Sequence, residues 1–454
     1  MDKLILYSND GLGSYSPRKM NIELKKKFDE FGRPYRNDTL SDEELSIFIH
    51  EFVHHIQKTA SVIGLLHFNA TIGLWHSIRN YIDDAPEKKD LSSINRAIEI
   101  LSFWKSNNQD KYRSLDHIEI IEIHDVTLND NLECIKQAPF RITCSHGDIF
   151  FGLHEYLECA AFIIERTFCK VAKIPLNESK AIPYKVIDAI ITHHNLNFTD
   201  NDLISIILTS LQHATPHYQF YAIIKQLDAS QYRDIGEVEK KDNLEAIFLN
   251  HCKDLLEINQ GFILDITQGI TNGLPINNIH DNAIKNALAK INSNLEKRLD
   301  APFFELDIMQ SINHENIRVK LYEIVNYFGG CPILKKDPDK QDGELGESVI
   351  REYGENGCLV TYQNNDLEVF RAMQHYTESH ITICNGELKI LSPEDNNNQI
   401  SNCPAYSYCQ DKKRFENREL CHNMPWMHPQ GEVESFCNYQ IAVYKTLLKN
   451  AYNR

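Results

Sequence analysis

Ile47-Phe48-Ile49-His50-Glu51-Phe52-Val53-His54-His55-Ile56-Gln57 is the stretch on which the reading of this chain turns. Leu45, Phe48, Ile49, Phe52, Val53 and Ile56 recur at three- and four-residue spacing, the pattern of a helix that packs one face into a core. Just upstream, Ser41-Asp42-Glu43-Glu44 has the Ser-x-x-Glu form of a capping box, with acids in the first turn where the helix dipole favours them. His50 and His54 lie beside the apolar stripe. Being four residues apart, they sit one turn above each other on one face, ~5–6 Å apart, so both imidazoles can reach a single tetrahedral Zn²⁺. Glu51 then stands beside the cation rather than on it, placed to take a proton from water that the cation has acidified. The motif points to a zinc-dependent hydrolase with Glu51 as general base. His55, about 100° round the helix from His54, reads as a core or supporting residue rather than a ligand.

A catalytic zinc needs a third protein ligand and an open fourth position. His67 and His76, 13 and 22 residues past His54, fall on what reads as a continuation of the same helix, which cannot bend back to the metal. A carboxylate from another helix is the better source. Phe151-Gly152-Leu153-His154-Glu155-Tyr156-Leu157-Glu158-Cys159-Ala160-Ala161-Phe162-Ile163-Ile164-Glu165 is a second apolar-rich helix, on which Glu158, Ala161 and Glu165 share a face. Glu158 and, one turn earlier, Glu155 are both candidates, and a structural ion pair is the plain alternative for either.

Here the chain resembles the gluzincin-like metallopeptidases of the zincin type. In many of these the third ligand is a Glu on a helix reading Glu-Gly-x-Ala-x-x-x-Glu, and Glu158-Cys159-Ala160-Ala161-Phe162-Ile163-Ile164-Glu165 is similar, with Cys159 at the Gly position. The resemblance implies His50 and His54 as ligands, Glu51 as base, Glu158 as third ligand, one catalytic Zn²⁺ and a protein or peptide substrate. It covers these two helices. The 103 residues between His54 and Glu158 exceed the few tens usual in simple gluzincins.

Between the helices, Leu115–Val126 alternates and is rich in Ile, which predicts a strand, with Phe140–Cys144 as its partner. In zincin-like folds an edge strand holds extended substrate by strand addition, and either strand is a candidate or plain sheet core. A residue to stabilise an oxyanion is sought in Leu211–Tyr221, which holds His213, His217, Tyr218 and Tyr221, each also readable as structural.

Helical periodicity continues over Asp200–Leu227, Glu237–Ile270 and Asn282–Leu299. Residues 336–348 fall in a polar, Pro- and Gly-containing stretch that reads as a linker. Beyond it Cys358–Tyr362, His380–Cys384 and Glu387–Leu391 read as strands, the last two joined at Asn385-Gly386. The expected organisation is α+β: a mostly helical zincin-like core with a small sheet and a helical extension (residues 1–335), then a smaller α+β domain (349–454). That domain carries Cys403, Cys409, Cys421 and Cys437 within 35 residues, with His422 and His428 nearby. They form a candidate structural metal site, zinc or iron–sulfur, since both use thiolates. Free structural thiols are the alternative.

A net charge of −17 over 454 residues argues against general nucleic-acid binding, which needs Lys and Arg on phosphates. No apolar run approaches the ~20 residues of a membrane span, and Met1–Asp10 is too short a run for an export signal. The expected setting is the cytoplasm, with the 12 Cys reduced. A broad protease there would be harmful, so narrow or regulated activity and a regulatory partner or ligand are expected. Two alternatives stand beside this reading: a non-catalytic interaction module with a structural or degenerate metal site, and a zinc amidohydrolase acting on a non-peptide amide.

Overall fold

The computed structural model describes residues 13–16, 21–25, 40–83, 90–106, 108, 118–124, 139–145, 147–176, 182–229, 268, 279–331, 333–336, 348–349, 364–384, 387–391, 402–404, 416–427, 437 and 439–440. These form a mostly helical α+β fold. In chain order the elements are β1 (Gly13–Ser16), β2 (Asn21–Lys25), α1 (Asp42–Thr59), α2 (Val62–Asp83), α3 (Ser92–Ser102), β3 (Ile120–Ile123), β4 (Phe140–Cys144), β5 (Gly147–Phe151), α4 (Leu153–Ala172), α5 (Ile182–His193), α6 (Asp200–Ser210) and α7 (Pro216–Ala229). Then come α8 (Ile279–Asp300), α9 (Phe304–Met309), α10 (Ile317–Phe328), β6 (Ile333–Lys336), β7 (Ser348–Val349), α11 (Asn364–His380), β8 (Ile381–Cys384), β9 (Glu387–Ile390), α12 (Arg418–Asn423) and a 3₁₀ turn at Pro425–Met427.

α1 starts where the capping box places it: Ser41 Oγ accepts from the Glu44 N–H at 3.2 Å, and Glu44 Oε2 accepts from the Ser41 N–H at 2.9 Å. Its apolar stripe is sealed, with Phe48, Ile49, Phe52, Val53 and Ile56 all buried. Burying side chains of this size contributes ~1.5–3 kcal/mol each, which anchors the helix that carries the histidines. The expected uninterrupted continuation past His54 is not what forms. The helix breaks at Ala60–Ser61, and α2 starts over the last turn of α1 with Ser61 Oγ accepting from the Gly64 N–H at 3.1 Å. Position 64 must be Gly there, because a Cβ would meet the Lys58 carbonyl oxygen at 2.3 Å. His67 turns into an edge-on contact with Trp104, and His76 lies beside Trp75.

β3, β4 and β5 form an antiparallel meander, so Phe140–Cys144 does partner the Ile-rich segment, of which Ile120–Ile123 is the strand. Residues 115–117 and 125–126 lie outside the described residues. The second apolar-rich helix begins two residues later than its pattern suggests. Phe150 and Phe151 are taken by pairing with Arg141 and Phe140, and extended Gly152 turns the chain into α4 at Leu153. A four-stranded sheet runs in the order β1-β2-β6-β7, with β2 and β6 parallel. Lys336, opposite Lys25, and Ser348, opposite Lys335, therefore lie in strands at the two ends of the expected linker, of which 337–347 lies outside the described residues.

Two apolar clusters organise the fold. One joins α1, α4, α5, α6, α7, α9, α10 and the strands β1, β2, β4 and β5; the other joins α2, α3, α8 and α11 with Ile381, Trp426 and Tyr439. The segment after residue 349 thus packs on α2 and α8 instead of closing a core of its own among the described residues. His380, expected to open a strand, is the last residue of α11, with Nδ1–H donated to the Tyr376 carbonyl at 2.8 Å; the β8–β9 hairpin follows it. Asp200–Leu227 divides into α6 and α7, and Asn282–Leu299 lies within α8. The Glu237–Ile270 and Cys358–Tyr362 segments and the Asn385-Gly386 turn lie outside the described residues, apart from helical Gln268. Among the described residues no helix is long and apolar enough to cross a membrane.

Burial pushes two histidines down to about 4, His55 and His380, so both are neutral in the fold. Unfolded, each takes up a proton near pH 6.5, so the unfolded chain binds more protons between pH 6.5 and 4. Stability therefore falls as the pH drops through that window, by on the order of 3 kcal/mol per histidine, and levels off below it. Urea denaturation across this range should show the loss, and His380→Asn should flatten its slope.

Candidate metal centre

α1 and α4 pack against each other, and two small residues of α4, Ala160 and Ala161, are fully buried. Their contact brings the acids of α4 onto the histidines of α1. Glu158 Oε2 lies 3.5 Å from His50 Nε2, and Glu158 Oε1 lies 3.4 Å from His54 Nε2. The two imidazole rings are 4.9 Å apart and nearly perpendicular. Tetrahedral zinc with bonds of ~2.0–2.1 Å separates neighbouring ligand atoms by ~3.3–3.4 Å, so these two spacings, which an ion pair also adopts, could accommodate a metal ion. The three ligand atoms all lie within 4.8 Å of one another, and among the described residues no other trio of His, Cys, Asp or Glu gathers this way.

Each imidazole is held from behind. His50 Nδ1–H donates to Glu165 Oε2 at 3.0 Å, and Ser46 Oγ–H donates to the other oxygen of that carboxylate. His54 Nδ1–H donates to Gln57 Oε1 at 2.8 Å. With both Nδ1 atoms acting as donors, each Nε2 is the ring nitrogen turned to Glu158, and it offers the lone pair a metal ligand needs once its proton is lost. Glu165 thus has a role that its position one helical face from Glu158 foreshadowed.

The electrostatics favour a cation here. Burial works against charge on His50, but hydrogen bonds to Glu158 and Glu165 and the charges of Glu165 and Glu51 more than reverse it, holding its pKa well above the histidine range. Burial likewise opposes charge on Glu158, yet the His54 charge, hydrogen bonds to both histidines and the His154 charge hold it well below the carboxylate range. With both imidazoles neutral, Glu51, Glu158 and Glu165 would put three negative charges in one buried space, which a divalent cation offsets.

Glu51 touches the site without joining the ligand trio. Burial raises its pKa and Glu158 adds to this, partly countered by His50, His54 and the Tyr15 backbone N–H, which donates to its carboxylate. Tyr15 belongs to β1, at the edge of the four-stranded sheet. Its hydroxyl donates to His55 Nδ1 at 3.2 Å, while His55 Nε2–H donates to the Gly329 carbonyl at 3.1 Å. His55 is therefore a tether between α1, β1 and the end of α10.

The choice between Glu155 and Glu158 is decided by hydrogen bonds. Glu155 Oε2 caps its own helix by accepting from the Gly152 N–H at 3.1 Å, and Oε1 accepts from Ser106 at 2.8 Å and Asn108 at 3.0 Å. The aromatic stretch after α6 is structural: His217, Tyr218 and Tyr221 pack around Phe140, and His213 Nδ1 accepts from the Thr215 N–H. Two residues not singled out from sequence border the trio instead. His154 is one turn before Glu158 on the same face, a spacing that was readable, and its charge acts on that carboxylate. Tyr184, from α5, stands edge-on to the His50 ring at 5.7 Å, and no local pattern marks it.

Of the C-terminal cysteines, Cys403, Cys421 and Cys437 form no disulfide among the described residues, and the Cys403 N–H donates to the Cys421 carbonyl at 2.8 Å. They do not form a metal-ligating trio among the described residues; Cys409 and His428 lie outside those residues.

No protein-family model, curated protein or solved structure matches this chain. The geometry is therefore the ground for any reading of function.

After incubation with zinc, Glu158→Gln should retain less metal in elemental analysis than the parent, while the metal-free forms of the two are both folded. Glu155→Ala should keep metal binding at the parental level while losing about 1–2 kcal/mol of stability with its cap and its bonds to Ser106 and Asn108.

Proposed function

We propose that the chain is a zinc-dependent metallopeptidase of zincin-like architecture, with His50, His54 and Glu158 as ligands and Glu51 as general base. The observation that carries this reading is the convergence of two imidazole Nε2 atoms and one carboxylate at ligand spacing, beside a buried acid that stays off the trio. Zinc bound there supplies Lewis acidity, polarising a substrate carbonyl and drawing the pKa of water toward ~7.

The chain's own residues divide the remaining work. Glu51, oriented by the Tyr15 N–H, accepts the proton of the attacking water and delivers it to the leaving amine. A pKa raised above the ordinary carboxylate value suits an acid that must both take and give that proton. Tyr184, beside His50, and His154, beside Glu158, are the donors placed to meet negative charge developing on the carbonyl oxygen. β1 is the edge strand whose backbone reaches Glu51, so an extended peptide paired along it would lie across the site. That fits a peptide better than a compact amide substrate. Specificity is narrow in this reading, and the setting is the cytoplasm.

The test compares parent and Glu51→Gln on a degenerate peptide library, with cleavage read by mass spectrometry and zinc by elemental analysis. Glu51→Gln should keep its zinc and cleave 10²–10⁴-fold more slowly, the range general-base catalysis supplies. Cleavage at the parental rate, or zinc retained by a folded His50→Ala/His54→Ala double variant, would overturn the proposal.

A further inference from the structure

Gln57 stands outside the mechanism above, yet it touches both helices that build the centre. It is three residues past His54 on α1, and it is buried. Its carbonyl Oε1 accepts the His54 Nδ1–H at 2.8 Å, and its amide Nε2 donates to the Leu157 carbonyl of α4 at 3.1 Å. Leu157 immediately precedes Glu158. One side chain therefore links the second histidine ligand to the backbone that presents the third ligand.

Two features make this arrangement specific. The Leu157 carbonyl is already the acceptor of an intrahelical bond, so Gln57 takes its second lone pair. That lone pair is reachable only where little covers it. A helical side chain leans over the turn before its own Cα, so the residue one turn on, Ala161, shields this carbonyl least when it is small. The buried small pair Ala160–Ala161 thus does more than let the helices approach; it leaves a backbone acceptor open to α1.

The second feature is asymmetry. His50 is backed by a carboxylate, Glu165, whereas His54 is backed by a neutral amide. A carboxylate in place of Gln57 would hold the imidazole equally well, but it has no N–H to offer Leu157. Only a primary amide of this length has an acceptor for one helix and a donor for the other.

We propose that Gln57 is a positioning residue that sets the spacing of the two ligand helices, fixing the His54 tautomer and holding Glu158 at ligand distance before metal arrives. This rests on the metal-site reading above. A ligand set pre-spaced at 3.4–3.5 Å needs no rearrangement to bind, so the clamp acts on metal affinity and ligand geometry and not on the chemical step alone.

The test uses the full chain stripped of metal and compares parent, Gln57→Met and Gln57→Asn. Met keeps the size and removes both bonds; Asn keeps the amide but is one methylene too short to span both partners. Zinc affinity is measured by competition with a chelator, ligand geometry by the visible spectrum of the cobalt(II)-loaded protein, and folding by the melting temperature of the metal-free form. Both variants should bind zinc 10–100-fold more weakly with an altered cobalt spectrum, the size of effect expected when a partner behind a ligand is removed. If Met at this position prevents folding, the Asn variant reads the same quantity. Parental affinity and spectrum in either folded variant would overturn the clamp while leaving the metal site intact. Failure of the parent itself to bind zinc would instead overturn the metal-site reading.

Discussion

The cost of burying carboxylates between two helices governs the centre of this protein. Glu51, Glu158 and Glu165 are gathered at the α1–α4 contact. Isolated, each would be driven toward the neutral acid by desolvation, so the fold must supply partners. It does so with His50, His54, Ser46 and the Tyr15 N–H, each from α1 or β1. Replacing such an ensemble with packed apolar residues is often neutral or stabilising. Its presence therefore says little for stability, and it is compatible with the metal site proposed above.

The rest of the fold serves this contact. The sealed stripe of α1 holds the histidines at one face, and Ala160 and Ala161 let α4 come close enough to meet them. His55 ties β1 and the end of α10 to the opposite side of α1, so the strand that reaches Glu51 is pinned at the residue four positions on. The second cluster, around α2, α3, α8 and α11, gives the helical extension and the C-terminal segment a common core. Before the polar stretch after residue 336, Ile333–Lys336 is already paired to β2.

Much of the centre was legible because its information is local. Capping box, apolar stripe and the four-residue spacing of His50 and His54 are properties of one helix. The same holds for Glu158 and Glu165 on α4, seven apart and hence on one face. His154 was legible in the same way, four residues before Glu158. The start of α4 was less so, since Phe150 and Phe151 are apolar enough to continue a helix and only their pairing with β4 makes them strand. His380 is the converse, a residue that a strand pattern claims but the preceding helix keeps.

The sequence by itself determined the two histidines, the acid between them and the helix that carries them, because backbone periodicity alone places such residues on one face. Tertiary structure decided the rest: that Glu158 and not Glu155 meets the histidines, that Tyr184 stands against His50 while Tyr15 reaches Glu51, and that Gln57 reaches the Leu157 carbonyl. Those contacts join segments separated by tens to more than a hundred residues. Their formation depends on which faces pack and which carbonyls stay uncovered, and no spacing along one chain segment encodes that.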